Sequence, residues 1–191
     1  FFRKIELALQ LLSPNSVLPN LSGDPMMLEI DFYFDFGSPT AYLAYQRFLQ
    51  LKTRYQFDLH YKPMLLGAVF KATHNASPVT VPAKGGYMMK HDLPRFVKRY
   101  GVSFSMNPFF PINTLPLMRG AYAALQLGCF NQYSDTVFNA VWRDAKNMGD
   151  VDVVRSVLVE AGLDADQLLT LSESPEIKQA LIVATEGAVK R

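Results

Sequence analysis

The first strong hydrophobic pattern in the chain is an aromatic-rich run at residues 30–36, which carries apolar side chains on both faces of an extended chain. This pattern is typical of a strand buried in a sheet. The run ends at Ser38-Pro39, and apolar residues at helical spacing follow over residues 42–54. Residues 57–63 alternate apolar with polar and predict a second strand. We therefore predict a βαβ unit with parallel strands and a right-handed crossover.

Beyond residue 64 the pattern becomes mainly helical. Apolar residues recur at helical spacing over residues 115–127, 132–146, 151–161 and 175–190. Shorter helices are predicted over residues 65–72 and 91–100, with a loop over residues 75–86 between them. The pattern predicts an α/β fold in which residues 28–64 form the βαβ part and residues 65–191 form a large α-helical domain.

The first 27 residues have a different character. The chain does not begin with methionine, and residues 13–25 are rich in Ser, Pro, Asn and Gly just before Met26 and Met27. We expect the natural start at one of these two methionines, with at most a poorly packed helix over residues 5–12. Residues 1–27 are therefore predicted to be an N-terminal extension, whether a fusion segment, a presequence remnant or upstream translation.

Composition limits the kind of partner. The chain has 191 residues, of which 49% are hydrophobic, and its 19 basic and 17 acidic residues leave a formal net charge of +2. These values indicate a globular protein with a sizeable core, and they give no sign of a nucleic-acid surface. No apolar run approaches the length needed to cross a bilayer. We expect a soluble protein with a small-molecule ligand, no nucleic acid and no membrane partner.

Cysteine and histidine usage narrows the chemistry further. Cys129 is the only cysteine, which excludes an internal disulfide, a CxxC redox pair and a cysteine-based zinc cluster. His60, His74 and His91 show no metal-ligand spacing, so we predict no metal site. The simplest location for such a chain is a reducing compartment, and we expect it to be cytoplasmic.

The turn at Ser38 is the candidate reactive centre. A hydroxyl directly after a buried strand, followed by Pro39 and a helix, places Ser38 at the helix N-cap and Pro39 at the first helical position. Unpaired amides and the positive end of the helix dipole favour an anion there, and the same feature lowers the pKa of a thiol. On spacing alone, a serine that only caps its helix is the better-supported interpretation.

Several motifs in the right order resemble a known family. The run FYFDFGSPTAYLA at residues 32–44 is similar to the opening of bacterial 2-hydroxychromene-2-carboxylate isomerases. PMLLGAVFKATHN at 63–75 and PAKGGY at 82–87 resemble blocks shared with kappa-class glutathione transferases, and FPINTL at 110–115 and FNAVW at 138–142 are isomerase-like. The resemblance implies a DsbA-like thioredoxin fold whose βαβ unit is followed by an inserted helical domain.

The resemblance also implies roles for individual residues. It gives Ser38 the task of hydrogen-bonding the sulfur of bound glutathione, the implied cofactor. Ala41 stands where a redox protein would have its second cysteine, so a dithiol cycle is impossible at this turn. Two residues are implied to contact glutathione, Asn75 and Lys84. Three are implied to lie on the substrate side, Asn113, Arg119 and Trp142.

Residue type alone offers simpler explanations for these positions. Asn75 fits an ordinary loop asparagine in a turn equally well. An isolated lysine such as Lys84 is usually solvated surface. Arg119 could bind a substrate carboxylate with both guanidinium branches, although a structural salt bridge is the better-supported alternative.

The resemblance further implies elements that this sequence does not contain. Family members continue beyond the helix at residues 184–191 into a strand with a cis-proline, a second strand and a closing helix. We therefore expect that roughly 30 to 40 residues of the thioredoxin part are missing, as two strands and a helix of typical length require.

The implied function is a glutathione-dependent isomerase. It would convert 2-hydroxychromene-2-carboxylate, a small aromatic substrate, to trans-o-hydroxybenzylidenepyruvate in the catabolism of naphthalene-type hydrocarbons, and it would act as a homodimer. Two alternatives remain open. One is a kappa-class-like glutathione transferase or peroxidase, and the other is a catalytically silent thioredoxin-fold binding protein.

Overall fold

The computed structural model describes residues 18–19, 25–26 and 28–191. Leu18–Pro19 and Pro25–Met26 pair with each other as short antiparallel strands. The helix predicted over residues 5–12 lies outside the described residues.

The βαβ unit consists of strand β1 (Leu28–Phe34), helix α1 (Pro39–Lys52) and strand β2 (Phe57–Pro63). The two strands are parallel, with Leu28 opposite Phe57 and Phe34 opposite Pro63. The predicted pairing of adjacent parallel strands is confirmed. Strand β1 ends at Phe34, two residues earlier than the pattern indicates, because the carboxylate of Asp35 accepts the Gly37 N–H and turns the chain.

After β2, the regular elements of the described chain are helices and helical turns. After β2 come the helices α2 (Leu66–Ala72), α3 (Pro82–Tyr87), α4 (Leu93–Tyr100), α5 (Leu115–Gln126), α6 (Phe130–Trp142), α7 (Val151–Glu160), α8 (Ala165–Ser172) and α9 (Pro175–Val189). A short 3₁₀ turn, Pro78–Thr80, precedes α3, and a π-helical turn, Met88–Asp92, joins α3 to α4.

Two stretches after β2 differ most from the sequence prediction. The predicted loop at residues 75–86 contains the 3₁₀ turn and most of α3, because Pro82 starts a helix that packs Gly85 against the backbone of Val79. Helix α8 was not predicted at all. Its N-cap is Asp164, whose side chain accepts the Gln167 N–H, and this Asp-x-x-Gln spacing is the signal that marks its start.

One hydrophobic core joins the βαβ unit to the helices that follow it. Phe138 of α6 lies at its centre, with ring centroids 4.7 Å from Phe36, 4.9 Å from Tyr45 and 5.5 Å from Phe34. The predicted domain boundary between residues 64 and 65 stays a prediction.

Hydrogen bonds tie the carboxyl end of β2 to the helical part. The Tyr122 hydroxyl of α5 donates to the Pro63 carbonyl at 3.0 Å. The Leu65 N–H donates to Thr185 Oγ1 of α9 at 3.1 Å. The end of the sheet that carries Ser38 is therefore held by helices that lie far away along the chain.

Helices α5 and α6 approach closely where Gly120 faces Tyr133. The Tyr133 hydroxyl donates to the Leu117 carbonyl at 2.9 Å, and both side chains are buried. A Cβ atom at position 120 would overlap that hydroxyl and lie 2.7 Å from the ring carbon that bears it. The ring is buried, and moving it away would break the hydrogen bond from its hydroxyl to Leu117.

Gly120→Ala should therefore lower the free energy of unfolding by at least about 1–3 kcal/mol, the usual cost of overpacking a core. Gly187→Ala is the matched control, because position 187 is an exposed helical glycine with nothing within 4 Å of an added Cβ. The control should not destabilise, since alanine is the better helix former. Denaturant unfolding measures both, and equal stability of the two variants would contradict the close approach.

Candidate functional site

Ser38 lies at the start of α1, beyond the carboxyl end of β1. Its backbone is extended, with φ −98° and ψ 113°, and its Oγ accepts the Ala41 N–H at 3.1 Å. The same oxygen lies 2.9 Å from Thr40 Oγ1. Ser38 is therefore an N-cap, as its Ser-Pro sequence predicts, and a second hydroxyl lies beside it.

The turn before Ser38 is fixed by bonds to its backbone. The Ser38 N–H donates to the Asp35 carbonyl at 3.0 Å. Trp142 Nε1 of α6 donates to the Phe36 carbonyl at 2.7 Å, and the Phe36 N–H points at Met118 Sδ of α5 at 3.4 Å. Trp142 is fully buried. The structure thus places Trp142 behind the turn, where it supports the backbone.

Asp35 is a buried carboxylate that sequence reasoning missed. Its side chain is 3% exposed, and its two oxygens accept the Gly37 N–H and the Leu66 N–H, each at 2.9 Å. Burial raises the pKa of this carboxyl above its ordinary value, while the hydrogen bonds from Gly37, Leu66 and Thr114 oppose that rise. The sequence did contain a signal for this role, namely an acidic residue within an aromatic run. A carboxyl buried there is costly unless it is hydrogen-bonded, so it predicts nearby donors.

Two adjoining cavities open at the start of α1. The Ser38 cavity has a volume of about 300 Å³ and is lined by residues 32–35 and 37–41, with Met64, Phe70, Pro78, Met88 and Phe110 among its other walls. The Lys84 cavity, of about 530 Å³, is lined by Lys84, Tyr87, Asp92 and their neighbours. Thr40, Pro78 and Met88 line both. Ser38 and Lys84 therefore line two adjoining cavities with three wall residues in common, and the pair of cavities is called the joined cleft below.

Asn75 lies outside that cleft. It is exposed, its backbone N–H donates to the Phe70 carbonyl at 2.9 Å, and its Oδ1 accepts the Ala76 N–H at 2.9 Å. It lines neither cavity. The structure shows a turn-forming asparagine, and its contact with glutathione stays a prediction.

Two of the three residues assigned to the substrate side, Asn113 and Arg119, also lie elsewhere. Asn113 is exposed, and its Oδ1 accepts the Leu115 N–H at 3.2 Å at the start of α5. Arg119 pairs with Glu173 at 3.0 Å and lines a separate groove between α2, α5 and α9. Neither residue lines the Ser38 cavity. Their roles in substrate binding stay predictions.

Two further findings concern the described residues only. They contain no helix long and apolar enough to span a membrane. Within the same residues, no group of three or more His, Cys, Asp and Glu side chains is placed to hold a metal ion.

The family of the chain follows from a comparison with family models. The model described as the DSBA-like thioredoxin domain matches residues 29–191, which include the βαβ unit and the helices α2 to α9. The chain belongs to the DSBA-like thioredoxin domain family. The fold class predicted from the sequence is thereby confirmed.

Relatives within the DSBA-like family carry two kinds of name. The glutathione S-transferase kappa 1 of Caenorhabditis elegans is 38% identical over 87 residues, which cover 45% of this chain and 38% of that protein. The 2-hydroxychromene-2-carboxylate isomerase of Pseudomonas sp. (strain C18) is 33% identical over 123 residues, which cover 62% of this chain and 56% of that protein. The matches thus span less than two thirds of either relative.

A solved structure of a protein with one of these two names superposes on this chain. The selenomethionine form of a 2-hydroxychromene-2-carboxylate isomerase superposes with a TM-score of 0.74 at 28% identity, covering 85% of this chain and 80% of that one. The resemblance to isomerases and kappa-class transferases found in the sequence motifs is thereby confirmed.

Asp35→Asn tests the role of the buried carboxyl. Both oxygens of a carboxyl keep lone pairs when the group is protonated, whereas an amide NH₂ group cannot accept a hydrogen bond. In asparagine that NH₂ group would therefore face the N–H of Gly37 or Leu66. At acid pH the substitution should therefore lower the free energy of unfolding by about 1–3 kcal/mol. The difference from the unsubstituted protein should shrink as pH rises from the ordinary value of 3.8 through the raised pKa of Asp35.

The sign follows from proton linkage. A carboxyl whose pKa is raised on folding binds its proton more tightly in the folded state, so ionisation costs stability as pH rises, and asparagine has no such cost. Denaturant unfolding over a pH series measures the free energy of unfolding of both proteins. The other carboxyls are the same in both, so their contributions cancel in the difference. A difference that grows with pH would mean that hydrogen bonding lowers the pKa of Asp35 below its ordinary value.

Proposed function

We propose that this protein binds glutathione in the Ser38 cavity and uses it to isomerise 2-hydroxychromene-2-carboxylate to trans-o-hydroxybenzylidenepyruvate. The observation that carries the proposal is the Ser38 hydroxyl, held at the N-terminus of a 14-residue helix and lining a largely apolar cavity. No cysteine lies in this turn. A sulfur nucleophile must therefore come from a bound molecule.

The donor groups of the joined cleft fit the chemistry of glutathione, a peptide with a thiol and two carboxylates. The Ser38 hydroxyl and the positive end of α1 favour a thiolate. Pro39 has no N–H, and Ala41 gives its N–H to Ser38, which leaves the Thr40 N–H as a first-turn donor without an intrahelical acceptor. The Lys84 ammonium in the adjoining cavity suits a carboxylate.

In the proposed reaction each residue has a limited task. Glutathione, when bound, supplies a nucleophilic sulfur whose reversible addition makes a double bond of the substrate rotatable. Ser38 donates a hydrogen bond to that sulfur and keeps it ionised at neutral pH. The apolar walls exclude water. We assign Asp35 a structural role, because its two oxygens hold N–H groups of the turn and of α2.

An isomerase is the first choice for the DSBA-like chain because an isomerase structure superposes on most of it at 28% identity. A kappa-class transferase or peroxidase is the second candidate, favoured by the 38% identity to the Caenorhabditis elegans transferase over a shorter segment. We further propose that the protein acts as a homodimer in the cytoplasm.

Product analysis separates the candidates. Purified protein is mixed with 2-hydroxychromene-2-carboxylate and a small amount of glutathione. We expect conversion of many substrate molecules per glutathione, with the total glutathione unchanged. Consumption of one glutathione per product would identify a transferase. Glutathione binding in a calorimeter without any conversion would identify a silent binding protein.

Ser38→Ala tests the reactive centre. Loss of a charge-assisted hydrogen bond should raise the pKa of bound glutathione by roughly one to two units and lower turnover at neutral pH ten- to a hundredfold. Affinity for glutathione should change little, because most of the binding contacts are expected to lie elsewhere. The thiolate is measured by its ultraviolet absorbance over a pH series.

The control for this variant is a second Ser-Pro cap in the same chain. Ser174 precedes Pro175 at the start of α9, and its Oγ accepts the Ile177 N–H at 3.3 Å. Ser174→Ala should remove an equivalent helix cap, at a cost of about 1 kcal/mol of stability. It should leave the pKa of the bound thiol and the turnover unchanged. Unchanged turnover in a stably folded Ser38→Ala protein would show that Ser38 only caps its helix.

A further inference from the structure

Thr40 is the second hydroxyl at the start of α1, and no role has yet been given to its side chain. Its Oγ1 lies 2.9 Å from Ser38 Oγ, and Ser38 is its hydrogen-bond partner among the described residues. Thr40 also lines both the Ser38 cavity and the Lys84 cavity. Thr40 is therefore part of the wall that the two cavities share.

The hydrogen-bonding capacity of Ser38 decides what Thr40 can do. A serine hydroxyl has one proton and two lone pairs. One lone pair of Ser38 Oγ accepts the Ala41 N–H at 3.1 Å. If Ser38 gave its proton to Thr40, none would remain for an anion in the cavity. If Thr40 donates instead, both lone pairs of Ser38 are filled, and its proton is free to point into the cavity.

An anion in the cavity favours the second arrangement. A row of donors that ends on a negative charge polarises each O–H bond in turn, so the last donor becomes stronger. We infer that Thr40 is a positioning residue, which donates to Ser38 Oγ and so directs the Ser38 proton to an anionic sulfur. The inference rests on the proposed function only for the identity of that sulfur.

Other ionisable groups near the two hydroxyls stay constant in the test. Tyr33 and Asp35 line the Ser38 cavity, and Lys84, Tyr87 and Asp92 line the Lys84 cavity. None of them is changed by a substitution at position 40. A difference in thiol pKa between variants at that position therefore reports the hydroxyl of Thr40.

The first measurement needs no ligand. Ser38→Cys, made together with Cys129→Ala, leaves a single thiol at the helix N-cap, and the pH dependence of its alkylation by iodoacetamide gives its pKa. Thr40→Val keeps the side-chain shape without the hydroxyl, and it should raise this pKa by about one unit, a tenfold loss of thiolate below the pKa. Thr40→Ser should restore the starting value. Equal pKa values with threonine and valine would overturn the inference.

The second measurement uses glutathione bound to the protein with Ser38 in place. Thr40→Val should raise the pKa of the bound thiol by a few tenths of a unit, about a two- to threefold loss of thiolate, because polarisation through a hydroxyl is a fraction of a direct bond. In a Ser38→Ala protein the same substitution should have no effect, since Thr40 acts through Ser38. Equal shifts in both proteins would show direct contact with the sulfur and overturn the positioning role.

The two measurements keep this inference separate from the proposed function. If the unsubstituted protein fails to bind glutathione, the proposed function fails, and the alkylation series still decides whether Thr40 donates to position 38. If glutathione is bound as a thiolate and Thr40→Val changes neither measurement, the inference is overturned and the proposed function stands. Melting curves of all variants check that each is folded.

Discussion

The carboxylate of Asp35 is the constraint on which the candidate site depends. It joins the end of β1 to the start of α2, because its two oxygens accept N–H groups from Gly37 and Leu66. A buried carboxyl is costly in free energy unless its partners are fixed, so the turn and the start of α2 must keep their positions together. The same bonds give Asp35 a structural role at the turn. The backbone that leads into Ser38 is thus held in place by a buried neighbour.

The helical part of the chain does more than cover the sheet. Trp142 and Met118 come from α6 and α5, and both make polar contacts with Phe36, two residues before Ser38. Tyr122 of α5 holds the end of β2 in the same way. The backbone of the turn before Ser38 therefore has few conformations open to it. A hydroxyl that must stay within a few tenths of an ångström of one position needs this kind of support. A side chain on a mobile loop would have many orientations, and fixing one of them on binding would cost free energy.

The sequence predicts the secondary-structure elements and the helix cap, but it does not predict which side chains meet when they lie far apart along the chain. The N-cap at Ser38 follows from a hydroxyl and a proline after a buried strand, and the strand pairing follows from apolar periodicity. Arg119 pairs with Glu173, which lies 54 residues further along the chain. The Asp35 carboxyl accepts the N–H of Leu66, which lies 31 residues further along. Periodicity carries no information about such pairs. Motif resemblance implied that Asn75 and Lys84 share a ligand, yet only Lys84 lies in the cleft, because the Asn75 side chain bonds its own turn.

The chain contains an internal comparison that shows why a helix cap alone does not make a site. Ser38 and Ser174 both precede a proline, and both accept a first-turn N–H. Only Ser38 has a second hydroxyl within hydrogen-bonding distance and lines a cavity described above. Both helix ends have the same dipole, so the dipole cannot distinguish them. Both serines are half-buried, so the difference lies in the cavity beside Ser38. Its apolar walls would strengthen a hydrogen bond to an anion held there. The chemistry proposed for Ser38 therefore comes from its surroundings more than from its residue type.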